Sequence, residues 1–162
     1  PYHDSGIVQN GPELARLGKG KYSKALLLCD YHGSGWEKRY SGIQAEQELQ
    51  ARLTRVTWKD HSLAIVIMPE LEEWLLHNYP AIQKHFQITQ SQLNEYLSAR
   101  SSTSPKSIFE NMVVRHVGRK PMPRDFAKIG SLASMPAWSK STSFASVTTA
   151  LRNWFPENSL LQ

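Results

Sequence analysis

Two stretches of consecutive apolar residues, Leu26-Leu27-Leu28-Cys29 and Ala64-Ile65-Val66-Ile67-Met68, constrain this chain more than anything else in its 162 residues. Each stops abruptly in acid. The first ends at Asp30, with His32, Gly33 and Gly35 close behind, and the second breaks at Pro69 into Glu70, Glu72 and Glu73. Residues that are apolar at every position, rather than at alternate ones, suit strands covered on both faces in a parallel sheet. In such sheets, groups just past the strand carboxyl ends are where ligands and metals bind. Two acidic strand ends therefore make one candidate site.

The chain between the runs supports this arrangement. Residues 37–53 are mostly good helix formers, with Tyr40, Ile43, Leu49 and Leu53 as an imperfect apolar stripe, and they read as a crossover helix. A strand, helix and strand in that order bring both carboxyl ends to the same edge of the sheet. Neighbouring strands lie ~4.8 Å apart, so Asp30 and the glutamates at 70–73 are expected within reach of one divalent ion. Pro69 stops the second strand, and residues 71–77 read as a short helix. On that helix Glu70, Glu73, Trp74 and His77 share one side, while Glu72 points elsewhere. A plainer reading of the glutamates stays open: acidic residues also gather at helix N-termini, where the macrodipole favours them.

The remainder reads as mainly helical. Pro12 to Leu17 predicts a helix of two turns closed by Gly18, inside an otherwise irregular segment 1–23. Thr89 and Gln92 form a capping box, and residues 98–107 are a polar loop. Ile108, Phe109, Met112, Val113 and Val117 stripe the next helix, which Gly118 ends. A basic, proline-rich loop follows over 118–124. Ser143 is the expected cap of a last helix, in which Phe144, Val147, Leu151 and Trp154 line one face. The expectation is a single α/β domain over 1–162, with a sheet core at 24–85 and helices over 86–162.

Charge and composition add partners and exclusions. A net charge of +5 and a pI near 9.4 favour polyanions, since basic side chains release counterions from phosphates. The cations gather at Arg115, Arg119, Lys120 and Arg124, the candidate nucleic-acid contacts. The lone Cys29 can form no internal disulfide, in keeping with a reducing compartment. No apolar run approaches the ~20 residues of a membrane span, and no signal-peptide pattern opens the chain, so a cytoplasmic protein without membrane contact is expected. The chain starts at Pro1 rather than Met, which fits a start that is trimmed, processed or part of a longer chain.

An apolar strand ending in Asp30-Tyr-His-Gly33, a crossover helix and Ile65-Val-Ile-Met-Pro-Glu-Leu-Glu-Glu-Trp-Leu-Leu76 resemble the Toprim-like proteins of bacterial anti-phage defence loci. Ser141-Thr-Ser-Phe144 with Leu151-Arg-Asn-Trp-Phe155 adds to the likeness, which covers the chain from about Ala25 onward. The resemblance implies a Toprim-like, Rossmann-like fold and metal-dependent phosphodiester chemistry on DNA or RNA within a defence system. It implies Mg²⁺, or Mn²⁺, held by Asp30, Glu70 and Glu72, with Asp30, His32 and Glu72 as the catalytic set. Other defence-system subunits and a second copy of the chain are the implied protein partners. Two departures stand out: His32 occupies the place of a second aspartate, and nothing before Lys24 reads as the strand that carries the family's catalytic glutamate. Three functions stay open: a nuclease-type subunit, a non-catalytic nucleic-acid-binding or assembly module on the same scaffold, and a small-molecule enzyme, against which the missing dinucleotide fingerprint counts.

Overall fold

A computed structural model of the protein describes residues 5–156. The chain divides into two compact units, one taken from residues up to Met68 and from Ala145 onward, the other Pro69–Phe144. The class is α/β, with helices predominating over a small parallel sheet.

The first unit contains α1 (Ser5–Leu17), β1 (Ala25–Asp30), α2 (Gly42–Leu53) and β2 (Ser62–Ile67). The strands pair in parallel, from Ala25 opposite Ser62 to Asp30 opposite Ile67. Cys29, Ala64 and Val66 join Val8, Trp36, Leu49, Leu53 and Trp58 in one core. Alternation turns Ile65 and Ile67 to the opposite face, where they too are buried, so β2 is covered on both faces as its composition demands. On β1, Leu28 remains 36% exposed, and covering is less complete there.

Three local features explain where the elements begin and end. Helix α2 starts five residues later than its composition suggests. Ser41 and Gln44 form a capping box, and the preceding turn uses left-handed Gly33 and Gly35. Its core side is Ala45, Leu49 and Leu53, whereas Ile43 is 74% exposed. Helix α1 is longer than expected and carries Pro12 in its interior. A proline there cannot donate to the carbonyl four residues back, that of Val8. Arg52 Nη1 donates to that oxygen instead, at 3.2 Å. Past Leu53 the chain widens into a π turn, Thr54–Trp58, and the buried Trp58 donates from Nε1 to Ala15 O at 2.8 Å, tying it to α1.

Helix α2 also closes one edge of the sheet. In a parallel pair alternate N–H groups point away from the partner strand, and on β2 these are Ala64 and Val66. Gln50 Oε1 accepts from Ala64 N at 2.8 Å and Glu46 Oε2 from Val66 N at 3.0 Å. One helical turn separates the two acceptors.

The second unit is helical: α3 (Glu72–Leu76), α4 (Tyr79–Phe86), α5 (Gln90–Ser98), α6 (Pro105–Val117), α7 (Pro123–Leu132), α8 (Met135–Trp138) and the start of α9 (Thr142–Trp154). Leu76, Ile82, Leu93, Ile108, Phe109, Met112, Val113 and Ile129 are among its fully buried core. Side chains cap α4, α5 and α6 through Asn78, Thr89 and Ser104, and Gly118, at φ 74°, closes α6 in the left-handed conformation. Helix α7 takes in only the end of the basic loop expected over 118–124, at Pro123 and Arg124, and runs on to Leu132. Pro123 opens it, and Asp125 Oδ2 accepts the N–H of Met122 at 2.8 Å. Ser143 is not a cap but a residue of α9's first turn, whose Oγ accepts from Trp74 Nε1 at 2.8 Å. Phe144 packs edge-on against Trp74 and Trp138, with centroids 5.1 Å from each. Among the described residues no helix is long and apolar enough to cross a membrane.

Candidate functional site

The residues singled out from the sequence fall in both units. Asp30, the last residue of β1, is half-buried, and His32 stands exposed in the following turn with its ring tilted 5.8 Å from that of Tyr31. The three glutamates belong to the second unit, where each has a different environment.

Glu70 is a structural carboxylate. Its Oε2 accepts the backbone N–H of Lys106 at 3.0 Å, in the first turn of α6, so it serves a helix N-terminus, though not that of its own helix. Glu73 pairs with the Arg100 guanidinium and lies 3.1 Å from His77 Nε2, the i,i+4 relation expected for that side of α3. Burial pushes the His77 pKa below its usual value, against the pull of the Glu73 carboxylate.

Glu72 is the exception. It is 8% exposed, and no other described residue donates a hydrogen bond to it. Its side chain lines a cavity of about 450 Å³ together with Lys106, Glu110, Asn111, Lys120 and Phe126. Burial raises its pKa above the ordinary carboxylate value. The neighbouring charges of Glu70 and Glu110 push it further in that direction, while its own backbone N–H and Lys106 oppose the rise. A carboxyl that holds its proton more tightly than usual, lining a cavity together with two lysines, is equipped for acid–base work or for receiving a donor from a ligand.

The basic residues do not act alike. Arg119 makes a two-pronged ion pair with Asp125, 2.7 Å at both contacts, and Asp125 is 2% exposed. The guanidinium holds the Asp125 carboxyl below its usual range. Arg119 is thus a strut between the loop and α7. Arg115 is exposed, with its guanidinium 5.8 Å from the Tyr96 ring centre, and Arg124 is exposed at the start of α7. Lys120, also exposed, lines the Glu72 cavity.

Sequence reasoning passed over Lys106, Glu110, Asn111 and Phe126. On α6 the first three lie off the buried Ile108, Phe109, Met112 and Val113 stripe, and a Lys and Glu four residues apart read as an ordinary solvated pair. Nothing in the local sequence connects them to Glu72.

Magnesium takes one or two carboxylates and completes its shell with water and phosphate oxygens. Glu72 and Glu110 are the carboxylates lining the cavity and would be the residues to hold such an ion there. Among the described residues no group of three or more His, Cys, Asp or Glu side chains is placed to hold a metal. No protein-family model, curated protein or solved structure matches this chain.

Proposed function

We propose that the protein binds nucleic acid and acts on its phosphodiester backbone, as a Toprim-like component of an anti-phage defence system, with Glu72 as its reactive carboxylate. The reading rests on one observation above the rest: Glu70 and Glu72 are both nearly buried, but Glu70 is bonded to the Lys106 N–H and Glu73 to Arg100, whereas Glu72 lines a cavity together with two lysines. Lysine ammonium groups bind phosphate as point charges, and a carboxyl of raised pKa transfers protons near neutral pH more readily than an ordinary one. A divalent ion held by Glu72 and Glu110 would supply charge stabilisation at the phosphate. The exposed Arg115, Lys120 and Arg124 suit contacts to the phosphates of a strand. The basic composition and the motifs around Asp30 and residues 65–76 add the family context.

The test is incubation of the purified protein with plasmid, single-stranded DNA and RNA in Mg²⁺ or Mn²⁺. Cleavage should appear with metal and be lost in Glu72→Gln and in Asp30→Ala. The commitment of Glu70 and Glu73 to structural bonds favours a second reading, a binding module without chemistry. Salt-dependent gel shifts with intact nucleic acid under every metal would establish that one instead.

A further inference from the structure

We propose that the Glu72 cavity is a site for one guanine nucleotide unit, its base edge donating to the Glu72 carboxylate and its phosphate held by Lys106 and Lys120. This rests on the nucleic-acid reading only in so far as the nucleotide is taken from a strand. Four features carry it.

The first is spare acceptor capacity. Glu72 is 8% exposed and the hydrogen bond its carboxylate receives comes from its own backbone N–H, which leaves lone pairs for a donor in the cavity it lines. Guanine offers a ring N–H and an exocyclic amino group side by side, two parallel donors that match the two oxygens of one carboxylate. The second is charge balance. Two acidic and two basic residues line the cavity, so it is better suited to a ligand with a donor edge at one end and an anion at the other than to bare phosphate. The third is Phe126, whose ring sits 4.9 Å from that of Phe109 and is thereby held in place as a wall against which a base can stack. Asn111, with both a donor and an acceptor, is available to the remaining polar atoms of the base. The fourth is size, since about 450 Å³ lies within the ~300–1,000 Å³ usual for small-ligand sites.

Titration calorimetry of the full chain with guanosine, adenosine and cytidine monophosphates and with inorganic phosphate tests the assignment. The guanosine nucleotide should bind at one site, at least about tenfold tighter than the adenosine nucleotide, a discrimination typical of a well-made paired contact to a base edge. Inorganic phosphate alone should give no saturable heat. Glu72→Gln should abolish the preference among bases, and Lys120→Ala, an exposed position that folding does not need, should weaken the nucleotide but not guanosine itself. Guanosine monophosphate that fails to bind at millimolar concentration, or that binds Glu72→Gln as well as wild type, overturns the proposal. Retained gel shifts with no nucleotide binding would sink this site and leave the nucleic-acid reading standing. Nucleotide binding with no affinity for oligonucleotides would do the reverse. Where both occur, competition by a single-stranded oligonucleotide containing one guanine, but not by its duplex, assigns the ligand to a strand, and no competition assigns it to free nucleotide.

Discussion

Glu72 and the two buried-side histidines set the pH behaviour of the second unit. Because burial raises the Glu72 pKa above 4.5, the folded protein holds that proton more tightly than the unfolded chain does. Its contribution to stability is therefore most favourable below pH 4.5 and declines as pH rises through the folded-state value. Glu72→Gln should melt above wild type at pH 8 and not at pH 4; equal shifts at the two pH values would show that burial of the charge is not the cause. His77 and His85 run the other way. Burial lowers both below 6.5, so the neutral rings favour the folded state above that pH, and the benefit is lost as pH falls through their folded-state values. Asp125, held low by Arg119, adds stability above pH 3.8 that disappears under stronger acid. Melting temperature followed by circular dichroism should decline in two stages, an upper one starting near pH 6.5 and a lower one below pH 3.8. Replacing both histidines with glutamine should remove the upper stage alone.

Among the elements, α2 carries more than its share. Glu46 and Gln50 close the outer edge of β2, and each replacement by alanine leaves a strand N–H without its acceptor, at about 1 kcal/mol. The double variant also uncovers an apolar edge strand, for which self-association is the expected consequence. Size-exclusion chromatography against concentration checks it, and a strictly monomeric double variant would show that those side chains do not guard the edge. Arg52 does comparable service for α1. Arg52→Ala should cost about 1 kcal/mol through the orphaned Val8 carbonyl. In a Pro12→Ala background the helix regains its own N–H donor, so the same change should cost less. Additive denaturation midpoints across that cycle would remove the compensation argument.

At the scale of the molecule, two cores are closed within two units. The second uses residues 75–129 alone for its buried cluster, and its packed neighbours extend only to Trp138. A fragment spanning 69–144 is thus expected to show helical circular dichroism and a cooperative melt. Phe109→Ala, emptying the centre of that cluster, should cost about 3–5 kcal/mol in the whole protein and abolish the fragment's melt. A fragment that melts without cooperativity even with Phe109 in place would mean that this core does not stand alone.

What the sequence determined by itself was local. The consecutive apolar runs specified two parallel strands, the capping box at Thr89 and Gln92 and the glycine at 118 specified helix ends, and the acidic break after Pro69 marked a place worth examining. These signals act over one to four residues, because backbone geometry and side-chain-to-backbone hydrogen bonds are short-ranged. Helix α7 escaped because its opening Pro-Arg-Asp carries the composition of a loop, although Pro and Asp are also first-turn residues. Only the tertiary structure divided the labour among Glu70, Glu72 and Glu73, since their partners Lys106, Arg100 and the cavity-lining residues of α6 and α7 lie 27 or more positions away. It likewise turned Arg119 from a presumed phosphate contact into the partner of Asp125. Burial, ion pairing and the shape of a cavity arise from residues that packing brings together, and no spacing along one strand or helix encodes which carboxylate will line a cavity.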